Sequence, residues 1–299
     1  MLDFKKVFLY NTGRARSPFG SLEGLQFKVL RVEDLAASNF TCIIMEKLVN
    51  FQNSKGTKLV GLIDNPSEKK DTPVFILCHG HGSNKNSKTF VLLKERVSRE
   101  GVSTFRFDFY GHGESEGKFE GINATQAVDD ITSAVNFLKN EGYSKIGLVG
   151  SSLGAFASIV VAARTPTILA LALKSPTLDL KIWKERMIGK FGQDWEQNRY
   201  IVFKTSSVER KLAEAQLDAF VADGLKYDIF QTARDVKSLT LIVHGEKDET
   251  VPIETSKKMS AIIPNCKLVV IEGADHEYTV GHAFDQMIEA LAQFLLTVK

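Results

Sequence analysis

The sequence predicts an α/β fold, a doubly wound and mostly parallel sheet carrying a helical cap insertion. Three observations predict it: short apolar runs of strand length recur from Val74 to Ile271, helical patterns alternate with them, and one interval between Ser175 and Asp235 breaks the alternation. A chain of 299 residues has the length of an α/β enzyme built on a single sheet.

Taken in order, KLVNFQ and KLVGLID flank NSKG from Lys47 onward, which predicts an opening β-hairpin. The runs VFILC (74–78), STFRF (103–107), IGLVG (146–150), ILALAL (168–173), LTLIV (239–243) and KLVVI (267–271) follow. Their near-continuous apolarity is that of strands buried on both faces, as in a parallel sheet. Helical patterns fall at roughly 89–100, 124–140, 153–164 and 254–263. A last helix near 281–297 repeats Phe284, Met287, Ile288, Leu291 and Leu295 at threes and fours. Such alternation implies right-handed crossovers between parallel strands.

The interval 176–234 holds no evident strand, only the amphipathic stretches LDLKIWKERMIGKF and SVERKLAEAQLDAFVADGL. So long a segment is not a bare loop, and it reads as a cap inserted after the sixth strand. The core domain spans 45–299. Residues 1–44 lie outside the regular pattern, as a poorly ordered extension, a docking arm, or sequence upstream of an alternative start at Met45.

Composition excludes several classes of function. With 43% hydrophobic and 25% charged residues and a net charge of +2, nothing points to disorder, a nucleic-acid-binding tail or a membrane surface. The expected partner is a small, neutral or weakly charged molecule, and the oligomeric state stays open. Cys42, Cys78 and Cys266 have no metal-ligand spacing and read as structural, reduced thiols. Neither a metal nor an organic cofactor is expected. The chain has no apolar stretch of about 18 residues, and its N-terminus lacks the apolar core of a secretory signal, so a cytoplasmic location is expected.

The chemistry is concentrated in a few loops. Gly150-Ser151-Ser152-Leu153-Gly154 lies between the strand IGLV and the helix-forming AFASIVVAAR, the strand–turn–helix context of a G-x-S-x-G nucleophile elbow. Ser152 at its centre is the candidate nucleophile, and it needs a base to accept its proton. Among His79, His81, His112, His244, His276 and His282, His276 in EGADHEYT follows the last strand and is the candidate base. His244 ends a strand and reads as satisfied by a backbone hydrogen bond. Asp248 in HGEKDETVP is the candidate acid that holds the tautomer of the base and stabilises the imidazolium. Glu246 and Glu249 beside it read as solvated loop charges. Backbone N–H groups of Leu153, just after the nucleophile, and of His81, in the glycine-rich HGHG loop, are candidate oxyanion donors. Trp183, Met187, Phe191, Trp195, Phe203 and Phe220 supply bulky apolar side chains in the cap and are candidates for the substrate pocket.

HGHGSNKN, FRFDFYGHGESEGKFEG, GLVGSSLGA, VHGEKDETVP and EGADH, in this order, resemble the α/β-hydrolase superfamily. The resemblance is nearest to bacterial cinnamoyl (feruloyl) esterase-like members and their serine-peptidase-like relatives, and it covers 45–299. It implies an α/β-hydrolase fold, the triad Ser152–Asp248–His276, an oxyanion hole at His81 and Leu153, and a structural loop at Asp108, Gly111, Gly113 and Ser115. In the esterases the cap forms the pocket for an aromatic acid. Here the segment 176–234 does not match residue by residue, so no such preference is carried over. The expected activity is that of a carboxylesterase acting through an acyl-enzyme. A thioesterase, a short-peptide serine peptidase or an acyltransferase would use the same triad, and a non-catalytic ligand-binding homologue would keep only the fold.

Overall fold

The computed structural model describes residues 46–204 and 209–298, without the side chains at positions 193, 194 and 204. The extension 1–44 and Cys42 lie outside the described residues. The chain opens with the hairpin β1 (Glu46–Gln52) and β2 (Lys58–Asp64), which pair antiparallel with Leu48 opposite Leu62. Its turn is held by Asn53, whose Oδ1 accepts from the backbone N–H groups of Lys55 and Thr57.

Then follow β3 (Val74–Cys78), α1 (Lys88–Ser98), β4 (Ser103–Phe107), α2 (Ala124–Asn140), β5 (Ile146–Ser151), α3 (Leu153–Arg164) and β6 (Ala170–Lys174). The insertion comes next, with α4 (Leu180–Asn198), β7 (Tyr200–Lys204), β8 (Glu209–Ala213), α5 (Glu214–Gly224) and the short α6 (Ile229–Thr232). The chain then returns to the sheet with β9 (Leu239–Gly245), α7 (Ile253–Ile262), β10 (Cys266–Ile271) and α8 (Ala283–Thr297).

Eight strands form one sheet in the order β1-β2-β4-β3-β5-β6-β9-β10. All neighbours from β4 to β10 run parallel, while β2 is antiparallel to β1 and to β4. The sheet is covered on both faces. Phe105, Phe107, Ile131, Val135, Phe156 and Val160 belong to one apolar core, under α2 and α3; Phe75, Leu77, Phe90, Val149, Val243, Met287 and Leu291 belong to the other, under α1 and α8. The apolar strand β3 is therefore buried along its whole length, and so is β4, whose buried Arg106 pairs with Glu46 (2.5 Å). KLVVI differs: β10 is the edge strand, and Val270 is 43% exposed. Among the described residues, no helix is long and apolar enough to cross a membrane.

The insertion is helical in α4 and α5 and also contains the β7–β8 hairpin, which the sequence pattern does not announce. ERKLA is made of good helix formers, and SVERKLAEAQLDAF reads as one amphipathic helix. Pairing with YIVFK converts its first part to a strand, Val202 lying opposite Lys211.

From β3 the chain crosses to β4 on one side and returns to β5 on the other. Strand order reverses there, and in open α/β sheets that switch point opens a crevice at the carboxyl ends of the strands. The loops after β3 and β5, which carry His81 and Ser152, flank it.

Candidate active site

Ser152 joins β5 to α3 with φ 54° and ψ −112°, a conformation that costs about 1–3 kcal/mol for a residue with a side chain. The surroundings enforce it. The Ser152 N–H donates to the Lys174 carbonyl (3.0 Å), and its own carbonyl accepts from Ala155 and Phe156 at the start of α3 (both 3.1 Å). Two glycines make the turn fit. A Cβ at Gly150 would stand 2.5 Å from Ala155 Cα, and one at Gly154 only 2.1 Å from the Cys78 carbonyl oxygen.

Beyond β9, the Asp248 carboxylate meets the His276 ring, with Oδ2 2.7 Å from Nδ1. Its Oδ1 accepts from the N–H groups of Thr250 (2.9 Å) and Val251 (2.7 Å). Burial pushes the pKa of this carboxyl up, but hydrogen bonds from His244, His276 and the Val251 amide outweigh it and hold it well below the usual carboxylate range. Asp248 is thus ionised, and an Nδ1–H directed at it leaves Nε2 of His276 as the proton acceptor. His244 touches the Val251 carbonyl (3.2 Å), as the sequence suggests, and also Ser256 Oγ (2.7 Å) and Asp248 Oδ2 (3.2 Å). That last contact is not readable from the strand-end position alone. The neighbouring Glu249 is tied down rather than free: it accepts from the His276 N–H (3.3 Å) and from Lys190 of α4 (2.7 Å).

Ser152 and His276 line one cavity of about 1030 Å³, at the size upper limit of small-molecule sites. The Ser152 hydroxyl is hydrogen-bonded to Thr177 Oγ1 at 2.8 Å. Thr177 lies just past β6 and is buried, and its N–H also reaches the Ser152 carbonyl (3.3 Å). Lys174, at the end of β6, is buried too. Its ammonium donates to the His276 carbonyl (3.1 Å) and lies 4.9 Å from the centre of the Tyr278 ring. Burial lowers its pKa, against the pull of Glu277, Asp248 and Asp275. Sequence reasoning missed both residues. For Lys174 the available signal was a lone cation directly after six apolar residues.

Leu153 is the first residue of α3, so its N–H has no partner within the helix. His81 lies inside a turn closed by Ser83 N–H to the Gly80 carbonyl (3.1 Å), and a Cβ at Gly80 would stand 3.3 Å from Ser152 Cβ. The HGHG loop therefore packs directly on the elbow. Two histidines pin it to the DFYGHG loop: His79 Nε2 accepts from Phe109 N–H (3.1 Å), and His112 Nε2 accepts from Gly82 N–H (3.2 Å). Burial lowers the pKa of His79 to about 4 and of His112 to about 3. Asp108 completes the brace, accepting from Lys85 N–H (2.7 Å), Lys85 Nζ (2.6 Å) and Glu114 N–H (2.9 Å).

Of the six cap residues, Trp183, Met187 and Phe203 line the cavity. Phe220 stands behind them, stacked on His81 at 5.1 Å between ring centres. Phe191 and Trp195 do not line it: Trp195 is buried in the apolar core and Phe191 packs half-buried against that core. Cys78 and Cys266 are free thiols, both pushed up to about 12 by burial.

Comparison with known proteins agrees with this architecture. Residues 69–281 match the family model described as serine aminopeptidase, S33. A 2-(acetamidomethylene)succinate hydrolase from Mesorhizobium japonicum is 29% identical over 71% of this chain and 84% of its own. The human mitochondrial palmitoyl-protein thioesterase ABHD10 is 23% identical over 88% of this chain and 85% of its own. Among solved structures, Est1E from Butyrivibrio proteoclasticus with bound ferulic acid superposes with a TM-score of 0.69 at 28% identity, covering 84% of this chain and 98% of that one.

Proposed function

Because the chain belongs to the serine aminopeptidase S33 family of α/β-hydrolases, we propose that it is a serine esterase that cleaves small or medium carboxylic esters through an acyl-enzyme on Ser152. One observation carries the reading: a serine held at φ 54° on a strand–helix turn opens into the same cavity as a histidine whose Nδ1 lies 2.7 Å from an ionised, buried aspartate.

In this reading Ser152 Oγ attacks the ester carbonyl as its proton passes to His276 Nε2, and Asp248 stabilises the imidazolium. The carbonyl oxygen gains the negative charge and is met by the N–H groups of Leu153 and His81. His276 then gives its proton to the leaving alkoxide, and the alcohol departs. A water that His276 deprotonates attacks the acyl carbon. As the resulting tetrahedral intermediate collapses, the bond to Ser152 Oγ breaks, His276 returns the proton to Oγ and the carboxylic acid leaves. Thr177 is compatible with each step, because its hydroxyl can donate to Oγ while the serine O–H turns to His276. Est1E, solved with ferulic acid bound, supports a carboxylic acyl group as the part of the substrate that such a site holds.

The test is labelling by a fluorophosphonate together with hydrolysis of p-nitrophenyl esters of increasing acyl length. The native protein is expected to be labelled and to release p-nitrophenol, and Ser152→Ala to do neither while keeping its melting temperature within a few degrees. Labelling that persists in the variant would remove Ser152 from this role.

A further inference from the structure

Three histidines crowd the loops beside the elbow, and they are not alike. Each ring nitrogen of His79 has a backbone partner, Nδ1 to the Gly80 carbonyl (2.8 Å) and Nε2 to the Phe109 N–H (3.1 Å). The same holds for His112, with Nδ1 to the Tyr110 carbonyl (2.9 Å) and Nε2 to the Gly82 N–H (3.2 Å). These are structural histidines, satisfied as buried polar groups are. Both ring nitrogens of His81 are equally shut off from solvent, yet neither has a hydrogen-bond partner.

Around the His81 imidazole stands a box of rings. Phe203 lies 4.7 Å away, Phe119 and Phe220 5.1 Å, His112 5.9 Å and Trp183 6.2 Å, centre to centre. An imidazole placed among such rings without a partner forfeits the hydrogen bonds that both its nitrogens make in water. A phenyl ring would fill the space without that loss. His81 also lines the cavity that Ser152 and His276 open into, and so do the Trp183 and Phe203 that cover it. Three of the covering rings belong to the cap: Trp183 on α4, Phe203 on β7 and Phe220 on α5. The lid over these nitrogens is therefore the inserted segment.

We propose that the His81 imidazole recognises a hydroxyl on the acyl chain of the substrate, so that the preferred substrates are hydroxyacyl esters rather than plain alkanoyl esters. The inference rests on the esterase reading of the site. In that reading the N–H of His81 holds the carbonyl oxygen, so the ring of the same residue reaches only acyl positions a few bonds beyond the carbonyl. Burial holds the ring neutral, with its pKa well below the ordinary value, so it presents one N–H and one lone pair. A hydroxyl both donates and accepts and satisfies either nitrogen in either tautomer. An alkyl chain satisfies neither. As the acyl group enters, the cap rings part and the unpaired nitrogens gain their partner. A site built to bond a hydroxyl discriminates strongly against an analogue that lacks it.

The experiment compares ethyl butanoate with ethyl 2-hydroxybutanoate and ethyl 3-hydroxybutanoate. Hydrolysis is followed by proton release in the native protein and His81→Phe, and binding by calorimetry in Ser152→Ala with and without His81→Phe. The native protein is expected to favour at least one hydroxy ester at least tenfold in kcat/KM, and Ser152→Ala to bind that ester more tightly than ethyl butanoate. His81→Phe should collapse both ratios toward one, and His81→Asn, which keeps a donor and an acceptor, should restore part of them. Equal kcat/KM for all three esters in the native protein, or a preference that survives His81→Phe, overturns the inference and leaves the esterase reading standing. A binding preference that depends on His81 in a protein that hydrolyses none of the esters supports the recognition and overturns the esterase reading.

Discussion

At the scale of single residues, the site is a set of side chains each held by more than one partner. Asp248 accepts from two backbone N–H groups and faces two imidazoles, so Asp248→Asn changes more than a charge. Its amide can present an N–H to His276 and select the wrong tautomer. A fall in kcat of about 10⁴ is expected, with KM little changed; near-normal turnover in steady-state assays would assign the acid to another residue. Thr177 lends itself to a separate prediction. Its bond to Ser152 Oγ has a net worth of about 1 kcal/mol, so Thr177→Val should speed fluorophosphonate labelling about fivefold if the bond parks the hydroxyl away from His276. Thr177→Ser should label at the native rate. Slower labelling of the valine variant would instead make Thr177 a donor that assists attack. Ser152, Asp248 and His276 were legible in the sequence because each follows its own strand in a short, recognisable context. Thr177 was not, because it meets the site only through the placement of β6 between β5 and β9, which is a property of strand order and not of any local pattern. The lone charge of Lys174 after six apolar residues marks it as unusual, but only the same strand order places it at the site.

At the scale of elements, the same contrast separates what the pattern reveals from what packing decides. The helices α2 and α3 lie at 124–140 and 153–164, where the sequence puts them: α2 buries one face, whereas α3, small and apolar in composition, is buried on all sides from Leu153 to Ala162. The β7–β8 hairpin escaped because ERKLA carries no strand alternation of its own and takes its form from its neighbour. Glycine positions inside helices show the difference quantitatively. Gly154, in the first turn of α3, lies against the end of β3, and an added Cβ would stand 2.1 Å from the Cys78 carbonyl and 2.5 Å from that of His79. Backbone cannot yield cheaply there. Gly154→Ala is expected to cost about 1–3 kcal/mol through overpacking and to abolish labelling of Ser152. Gly189, exposed within α4, has nothing within 4 Å of an added Cβ. Gly189→Ala should therefore stabilise the cap helix by about 0.5–1 kcal/mol through its better helix propensity. Calorimetric melting of the two variants checks the pair, and equal effects would show that the contact at β3 is not what makes Gly154 necessary.

At the scale of the whole molecule, the cluster of neutral histidines beneath the cap makes stability depend on acid. Burial depresses His79 from 6.5 to about 4, His112 to about 3, and His81 well below 6.5. A histidine with a depressed folded pKa stays neutral in the native state while the unfolded chain takes up its proton below about 6.5. Its contribution is thus fully present above pH 6.5 and is lost as pH falls toward the folded value. Asp130 works in the opposite direction. Burial raises it to about 6, so in the native state it keeps a proton that the unfolded chain releases above 3.8. Near pH 5, His79 and His112 each gain a proton on unfolding and Asp130 loses one, a net uptake of about one, to which His81 adds in the same direction. Stability should then fall by about 1.4 kcal/mol or more for each unit of pH between 6 and 4.5. Asp248, depressed below the carboxylate range, adds its own loss only below about 3.8. The measurement is the unfolding free energy from urea titrations at half-unit steps from pH 8 to 4.5. A plateau above pH 6.5 with a steep decline below it is expected, and His112→Gln should reduce the slope by about one proton. A profile that is flat down to pH 4.5, or that rises as acid is added, would mean that these rings are already charged or solvated in the folded protein.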